Sequence, residues 1–171
     1  MPSIRLVPFD EQHVPGLRSL IDDPSVRRYT RVPEPVPDDF DRTWVDRYRR
    51  GRANNTAMNF AIESAGDGTF LGVAVVPHLD HDERTAELGY VVGTAERGRG
   101  VATEALRQLT TWAFDEQDMI RLQLLISVSN DASKRVAQRC GYRFEGVLRG
   151  LYVKQGVRED TESWSRLVTD T

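Results

Sequence analysis

The run ELGYVVGTAERGRGVATEAL, Glu87 to Leu106, changes character in its middle. Its first residues read as a strand, whereas Val101, Ala102, Ala105 and Leu106 begin a helical stripe that Leu109, Trp112 and Ala113 continue. Between them lies a basic, glycine-rich turn, Arg97-Gly98-Arg99-Gly100. Where a strand enters a helix in this way, the unpaired N–H groups of the first helical turn and the positive end of the helix dipole point outward. Glycines let an anion come close to that backbone. A pyrophosphate suits such a turn, with Arg97 and Arg99 adding charge-assisted hydrogen bonds. A solvated, flexible turn is the other reading of the same residues. Two phosphate-binding patterns fail on spacing. From Gly98 the chain continues Arg99, Gly100, Val101, Ala102, Thr103, without the third small residue of a dinucleotide fingerprint, and Gly-Lys-Ser/Thr occurs nowhere.

Outward from this turn the elements fall into a regular order. IRLVPF (Ile4 to Phe9) reads as a first strand, and Asp10 is placed to cap the helix that follows. Between Ser25 and Asn55 the chain is helical in patches broken by VPEPVP, with Phe40, Trp44 and Tyr48 four apart on one face, directed to the core or to a cleft. TAMNFAIES and TFLGVAVVP form a hairpin around AGDG, and TAELGYVV is the next strand, after the polar loop HLDHDER. Beyond the helix from Val101 to Phe114 come the strand RLQLLISV, a helix DASKRVAQRC ended by Gly141, and two closing strands, YRFEGVLRGLYV and DTESWSRLV. This order predicts one domain over residues 1–171, of mixed α/β or α+β class, with helices packed on a sheet.

Composition narrows the function. The chain has 171 residues, of which 39% are apolar, enough for one domain with a real core. A net charge of -3 offers no global positive field for nucleic acid or an anionic membrane, so any anion site must be local. The N-terminal stretch lacks a basic segment followed by an apolar run, and no membrane-length apolar stretch exists; the expected location is cytoplasmic. A lone cysteine, Cys140, excludes an internal disulfide and a metal site built on paired cysteines. No metal is expected.

Arg97-Gly98-Arg99-Gly100-Val101-Ala102 resembles the R/Q-x-x-G-x-G/A acetyl-coenzyme A signature of the GNAT acyltransferase superfamily. With Asn130-x-x-Ser133 and Gly141-Tyr142-x-x-Glu145-Gly146 following, the chain from Ala86 to Arg149 is similar to the RimJ/RimL-like branch, whose members acetylate protein N-termini or small amines. The resemblance implies a mixed, mostly antiparallel central sheet of about seven strands with helices on both faces. It implies that the amides from Arg97 through Gly98, Arg99, Gly100 and Val101 to Ala102 grip the coenzyme A pyrophosphate. Val91 and Val92 would pair with the pantetheine arm, and Asn130 would bond that arm from the other side. For Asn130, capping the helix that begins at Asp131 is an equal alternative.

The reaction so implied makes demands on residue type. An alkyl amine (pKa about 10.4) or a protein α-amine (about 7.7–8.0) must lose a proton before it attacks a thioester. Glu87 shares a strand face with Gly89 and Val91 and resembles the carboxylate that this family uses through water as general base; a structural strand Glu is the alternative. The departing thiolate needs a proton donor. The tyrosine that many GNAT enzymes place seven residues after the Asn is Ala137 here, and the resemblance assigns the task to Ser133, with helix capping as its other reading. A covalent route through Cys140 would need His13, His78 or His81 beside it.

The partners expected are acetyl-coenzyme A and an amine acceptor: a peptide N-terminus, a polyamine or an antibiotic-like amine. No membrane or nucleic-acid partner is expected, and the chain would work as a monomer or homodimer. Tyr29, Trp44 and Tyr152 are candidate cleft aromatics; Asp80, Asp82 and Glu83 could attract a cationic amine; RYRRGR (Arg47 to Arg52) reads as a solvated helix end or a contact for an acidic partner. The competing function is a non-catalytic acyl-coenzyme A sensor that would use RYRRGR as its partner contact.

Overall fold

The computed structural model describes residues 2–170. β1 (Ile4–Pro8) enters α1 (Val14–Asp22) through a short turn of 3-10 helix, in which the Asp10 carboxylate accepts from the Gln12 N–H and His13 accepts from the Asp10 N–H. α2 (Pro24–Arg27) and α3 (Phe40–Ala53) complete the N-terminal third. β2 (Met58–Ser64), β3 (Phe70–Asp80) and β4 (Thr85–Val92) form a meander, followed by α4 (Val101–Thr111), β5 (Arg121–Ser127), α5 (Asp131–Arg139), β6 (Arg143–Lys154) and β7 (Val157–Leu167). Among the described residues seven strands make one sheet in the order β1-β2-β3-β4-β5-β7-β6, in which β4–β5 is the only parallel pair. This is the mostly antiparallel, seven-stranded sheet expected from the resemblance.

Strand alternation builds a core on each face. Phe60, Ile62, Ala74 and Val76 pack with the α4 stripe of Val101, Ala105, Leu106 and Leu109, and α5 contributes Ala137. Ala61 and Val73 face the other way, onto Leu17, Leu20 and Ile21 of α1 and Val26 of α2, with Phe40 and Trp44 of α3 packed alongside. The aromatic face of α3 thus belongs to the core and not to a cleft: Trp44 meets Phe9 edge-on at 5.1 Å and Tyr48 at 4.8 Å. The segment read as a polar loop also differs. Strand β3 continues through His78, Leu79 and Asp80, which pair with Glu87, Ala86 and Thr85, because Leu79 is buried and ties the end of the strand to the core.

The Gly-Tyr-x-x-Glu-Gly pattern has a structural explanation. Gly141 takes φ +78° to end α5. The buried Tyr142 hydroxyl lies 2.8 Å from that of Thr110 on α4, and Glu145 reaches across β7 to Arg121 on β5 through two hydrogen bonds of 2.8 and 2.6 Å. Arg121 first, then the Ser165 and Ser163 hydroxyls, hold the Glu145 carboxyl down at about 2.

Gly72 marks the closest backbone approach. A Cβ there would lie 2.2 Å from the Val91 carbonyl oxygen and 3.0 Å from the Val92 Cα, both backbone atoms of β4. Gly72→Ala is expected to destabilise the fold by about 3 kcal/mol, the upper part of the overpacking range. Thermal unfolding should fall by about 6–12 °C; an unchanged midpoint would show that β4 can shift without loss.

Candidate active site

The site begins where the sheet opens. β4 and β5 pair only at Thr85, Ala86 and Glu87, opposite Arg121, Leu122 and Gln123; beyond Glu87, β5 stays with β7 and the facing edge of β4 has no strand partner. Leu88 to Val92 therefore carry backbone donors and acceptors on a free edge, while their other edge stays bonded to β3. A cleft of about 350 Å³ fills the opening. Val91, Val92, Arg97, Gly98, Gly100, Val101 and Ala102 line one side, and Asn130, Ser133, Arg135 and Arg139 the other.

The basic turn has the geometry its glycines suggest. Gly98 and Gly100 sit at φ +73° and +83°, and Gly100 is the N-cap of α4, with no side chain to cover the helix end. The Glu104 N–H returns to the Gly100 carbonyl, so the first-turn amides ahead of it have no carbonyl of their own helix to bond. The turn is braced from α2: Thr94 donates to Asp23, whose carboxyl is held at about 2 by the Ser25 hydroxyl, then by Thr94, with the Arg97 charge as a lesser cause. Arg99 differs from expectation, because its guanidinium is on Glu96 at 2.7 Å. Arg135 and Arg139, four apart on α5 and facing the cleft, were not singled out from sequence; helical spacing put them on one face, but only the fold shows that this face meets the turn.

Asn130 caps α5, accepting from the Ser133 N–H at 3.1 Å, and lines the cleft as well. The Ser133 hydroxyl lies 2.8 Å from that of Tyr90, a phenol whose pKa is pushed up by burial, so it stays protonated. Tyr90 also escaped the sequence reading. Glu87 stands on the opposite face of β4 from Tyr90 and Ser133. Its carboxylate accepts from Arg31 at 2.6 Å, and the same guanidinium nitrogen contacts the Tyr152 hydroxyl. The Arg31 guanidinium carbon is 4.5 Å from the centre of the Tyr152 ring. Tyr48 lies close enough for the Glu87 charge to act on it, although burial is the main cause that lifts its phenol to about 12. A second cavity, of about 530 Å³, adjoins the cleft through Tyr29 and Thr30, and Arg28, Arg31, Glu34, Tyr152, Lys154 and Glu159 line it.

Residues 3–143 match the family described as the acetyltransferase (GNAT) domain. The chain belongs to the GNAT acetyltransferases. YdaF of Bacillus subtilis (strain 168) is 33% identical to it over 131 residues, covering 76% of this chain and 70% of that protein. The spermidine N(1)-acetyltransferase of Escherichia coli (strain K12) is 23% identical over 146 residues, 85% of this chain and 76% of that one. Among solved structures, RimL, a ribosomal L7/L12 alpha-N-protein acetyltransferase in complex with coenzyme A, superposes with a TM-score of 0.89 at 22% identity, over 99% of this chain and 96% of that one. As a GNAT enzyme the chain is an acetyl-coenzyme A-dependent N-acetyltransferase.

Cys140 is buried, its thiol donates to the Thr103 carbonyl and burial raises its pKa, while His13 is bonded to Glu63 on the far side of the sheet. That environment holds the sulfur as an unreactive thiol. Among the described residues no group of three or more His, Cys, Asp or Glu is placed to hold a metal, and no helix is long and apolar enough to cross a membrane. Within RYRRGR, Arg49 bonds Asp46 and Glu11, Arg50 bonds the Asp46 carbonyl, and Arg52 bonds Phe9 and Asn59. Arg47, Arg49 and Arg50 stay exposed on α3, as a solvated helix end does.

Proposed function

We propose that this GNAT enzyme acetylates a peptide or protein N-terminus by direct attack on acetyl-coenzyme A in a ternary complex. The observation that carries the reading is the opening of the β4–β5 ladder at Glu87, with the basic turn on one wall and the first turn of α5 on the other. Amides from Arg97 to Ala102 would take the pyrophosphate, with Arg135 and Arg139 adding charge from the facing helix. The free edge of β4 at Val91 and Val92 would pair with the pantetheine arm as a strand does, and the thioester would stop where the ladder closes.

At that apex the two catalytic duties fall on opposite faces of β4. Glu87 accepts the proton of the attacking amine, directly or through water. The nitrogen bonds to the carbonyl carbon, the tetrahedral intermediate collapses, and the carbon–sulfur bond breaks. Ser133, held by Tyr90 and by the cap at Asn130, donates to the departing thiolate.

The acceptor class follows from charge pairing in the second cavity. A polyamine needs unengaged carboxylates, but Glu159 is on Arg28 at 2.7 Å, and Glu34 is bonded to Arg27 and Gln155. Arg28, Arg31 and Lys154 outnumber Glu34 and Glu159 in the lining, a net positive balance that suits an acceptor with carbonyls or carboxylates next to its amine. Release of free thiol from acetyl-coenzyme A tests this, with N-terminal peptides and spermidine as acceptors. Peptide-dependent release is expected, and Ser133→Ala should slow it by about 100-fold without changing acetyl-coenzyme A binding. Release with spermidine alone would reverse the acceptor assignment, and an unaltered rate in the variant would remove Ser133 from the chemistry.

A further inference from the structure

Arg31 is the unusual residue of the acceptor side. It sits in the segment between α2 and α3, a loop fastened at several points. Lys154 donates to the Thr30 and Val32 carbonyls at 3.1 and 2.8 Å, Arg28 reaches Glu159, and the Tyr29 hydroxyl donates to the Ser129 carbonyl. The loop backbone is thus anchored while the Arg31 side chain, 49% exposed, extends to Glu87 on a flexible stem. A carboxylate at one end and an aromatic face at the other are the groups that hold a cation. Here the cation they hold belongs to the protein.

We infer that Arg31 is a specificity-determining residue: its guanidinium occupies the place of the acceptor's ammonium group on Glu87 and Tyr152, and an acceptor reacts only by displacing it. The inference rests on the reading of the Glu87 side of β4 as the acceptor end. A tethered group competes at an effective concentration of about millimolar. A bare amine present at lower concentration loses that competition, because it removes one ion pair and offers Arg31 nothing in exchange. An amine with a carboxylate or carbonyl one or two residues away gives the displaced guanidinium a new partner, and the ion pair is exchanged instead of lost. The net positive lining of the adjoining cavity, with Arg28, Arg31 and Lys154 against Glu34 and Glu159, favours the same acceptors. The acceptor so selected is a peptide N-terminus with acidic residues close behind the amine.

The test compares wild type, Arg31→Ala and Glu87→Gln in thiol release from acetyl-coenzyme A with three acceptors. These are a peptide with Asp and Glu in its second to fourth positions, the same peptide with Asn and Gln there, and spermidine. Wild type should prefer the acidic peptide. In Arg31→Ala the acidic-to-neutral ratio of kcat/KM should fall by about tenfold and spermidine turnover should rise by a similar factor, with KM for acetyl-coenzyme A unchanged. A uniform change for all three acceptors, or none, would overturn the inference, since loss of a merely structural arginine has no reason to discriminate among them. If turnover is too slow to rank the acceptors, calorimetric binding of each to the coenzyme A complex gives the same ratio. Glu87→Gln separates the two levels. Full activity there would sink the general-base reading, whereas selectivity is judged from the Arg31→Ala ratio alone.

Discussion

Glu87→Gln should lower kcat by about 100-fold or more, the range in which positioned general bases contribute. The change is nearly isosteric, so the paired end of β4 should keep its shape, and the loss of one partly exposed ion pair should cost about 1 kcal/mol or less, a fall of about 2–4 °C at most in the midpoint of thermal unfolding. Loss of the carboxylate removes the acceptor for the amine proton and the negative charge opposite Arg31, while the amide oxygen can still accept from its guanidinium. The effect should depend on pH in a definite sense. A peptide α-amine has a pKa of about 7.7–8.0, so raising the pH through this range supplies deprotonated nucleophile without a base. The deficit should therefore shrink towards pH 9. Thiol-release rates between pH 6.5 and 9 check this; equal rates for variant and wild type at every pH would make Glu87 a structural residue.

Gly100→Asp should weaken acetyl-coenzyme A binding by at least about 100-fold, equivalent to about 2.7 kcal/mol. Gly100 sits at φ +83° as the N-cap of α4, a conformation that aspartate tolerates better than most residues. Its Cβ would meet only the ring of Pro2, at 3.3 Å. The fold should survive. The new carboxylate, however, would stand at the helix N-terminus where the pyrophosphate is proposed to lie, and would itself accept from the amides meant for it. The same substitution that caps the helix thus removes the anion site. Calorimetric titration reads the loss, and circular dichroism shows whether the helix content is kept. Undiminished affinity would place the pyrophosphate elsewhere, and the Arg135–Arg139 face of α5 would be the next candidate.

Much of this architecture is legible one residue at a time. Alternation along Thr85–Val92 and the helical stripe from Val101 place the basic turn at a strand–helix junction, and Gly141 takes the positive φ of the cap that its position suggests. Asn130 shows where local reading stops: it caps α5 as the sequence allows, yet it also lines the cleft, and spacing alone could not choose between the two. Arg99 shows the reverse. Its charge is plain in the sequence, but Glu96, three residues before it, takes that charge up.

Sequence by itself determined the order of elements, the buried stripe of α4 and the place of the basic turn between a strand and a helix, because backbone propensity and side-chain periodicity act over a few residues. Only the tertiary structure decided what those elements enclose. The cleft exists because β7 pairs with β5 and draws it away from β4 beyond Glu87, a consequence of strand order that no local pattern encodes. The Arg31–Glu87–Tyr152 cluster joins residues 56 and 121 positions apart. Such contacts form only when sheet pairing has fixed every partner's place, so charge and aromaticity along the chain gave no sign of which groups would meet.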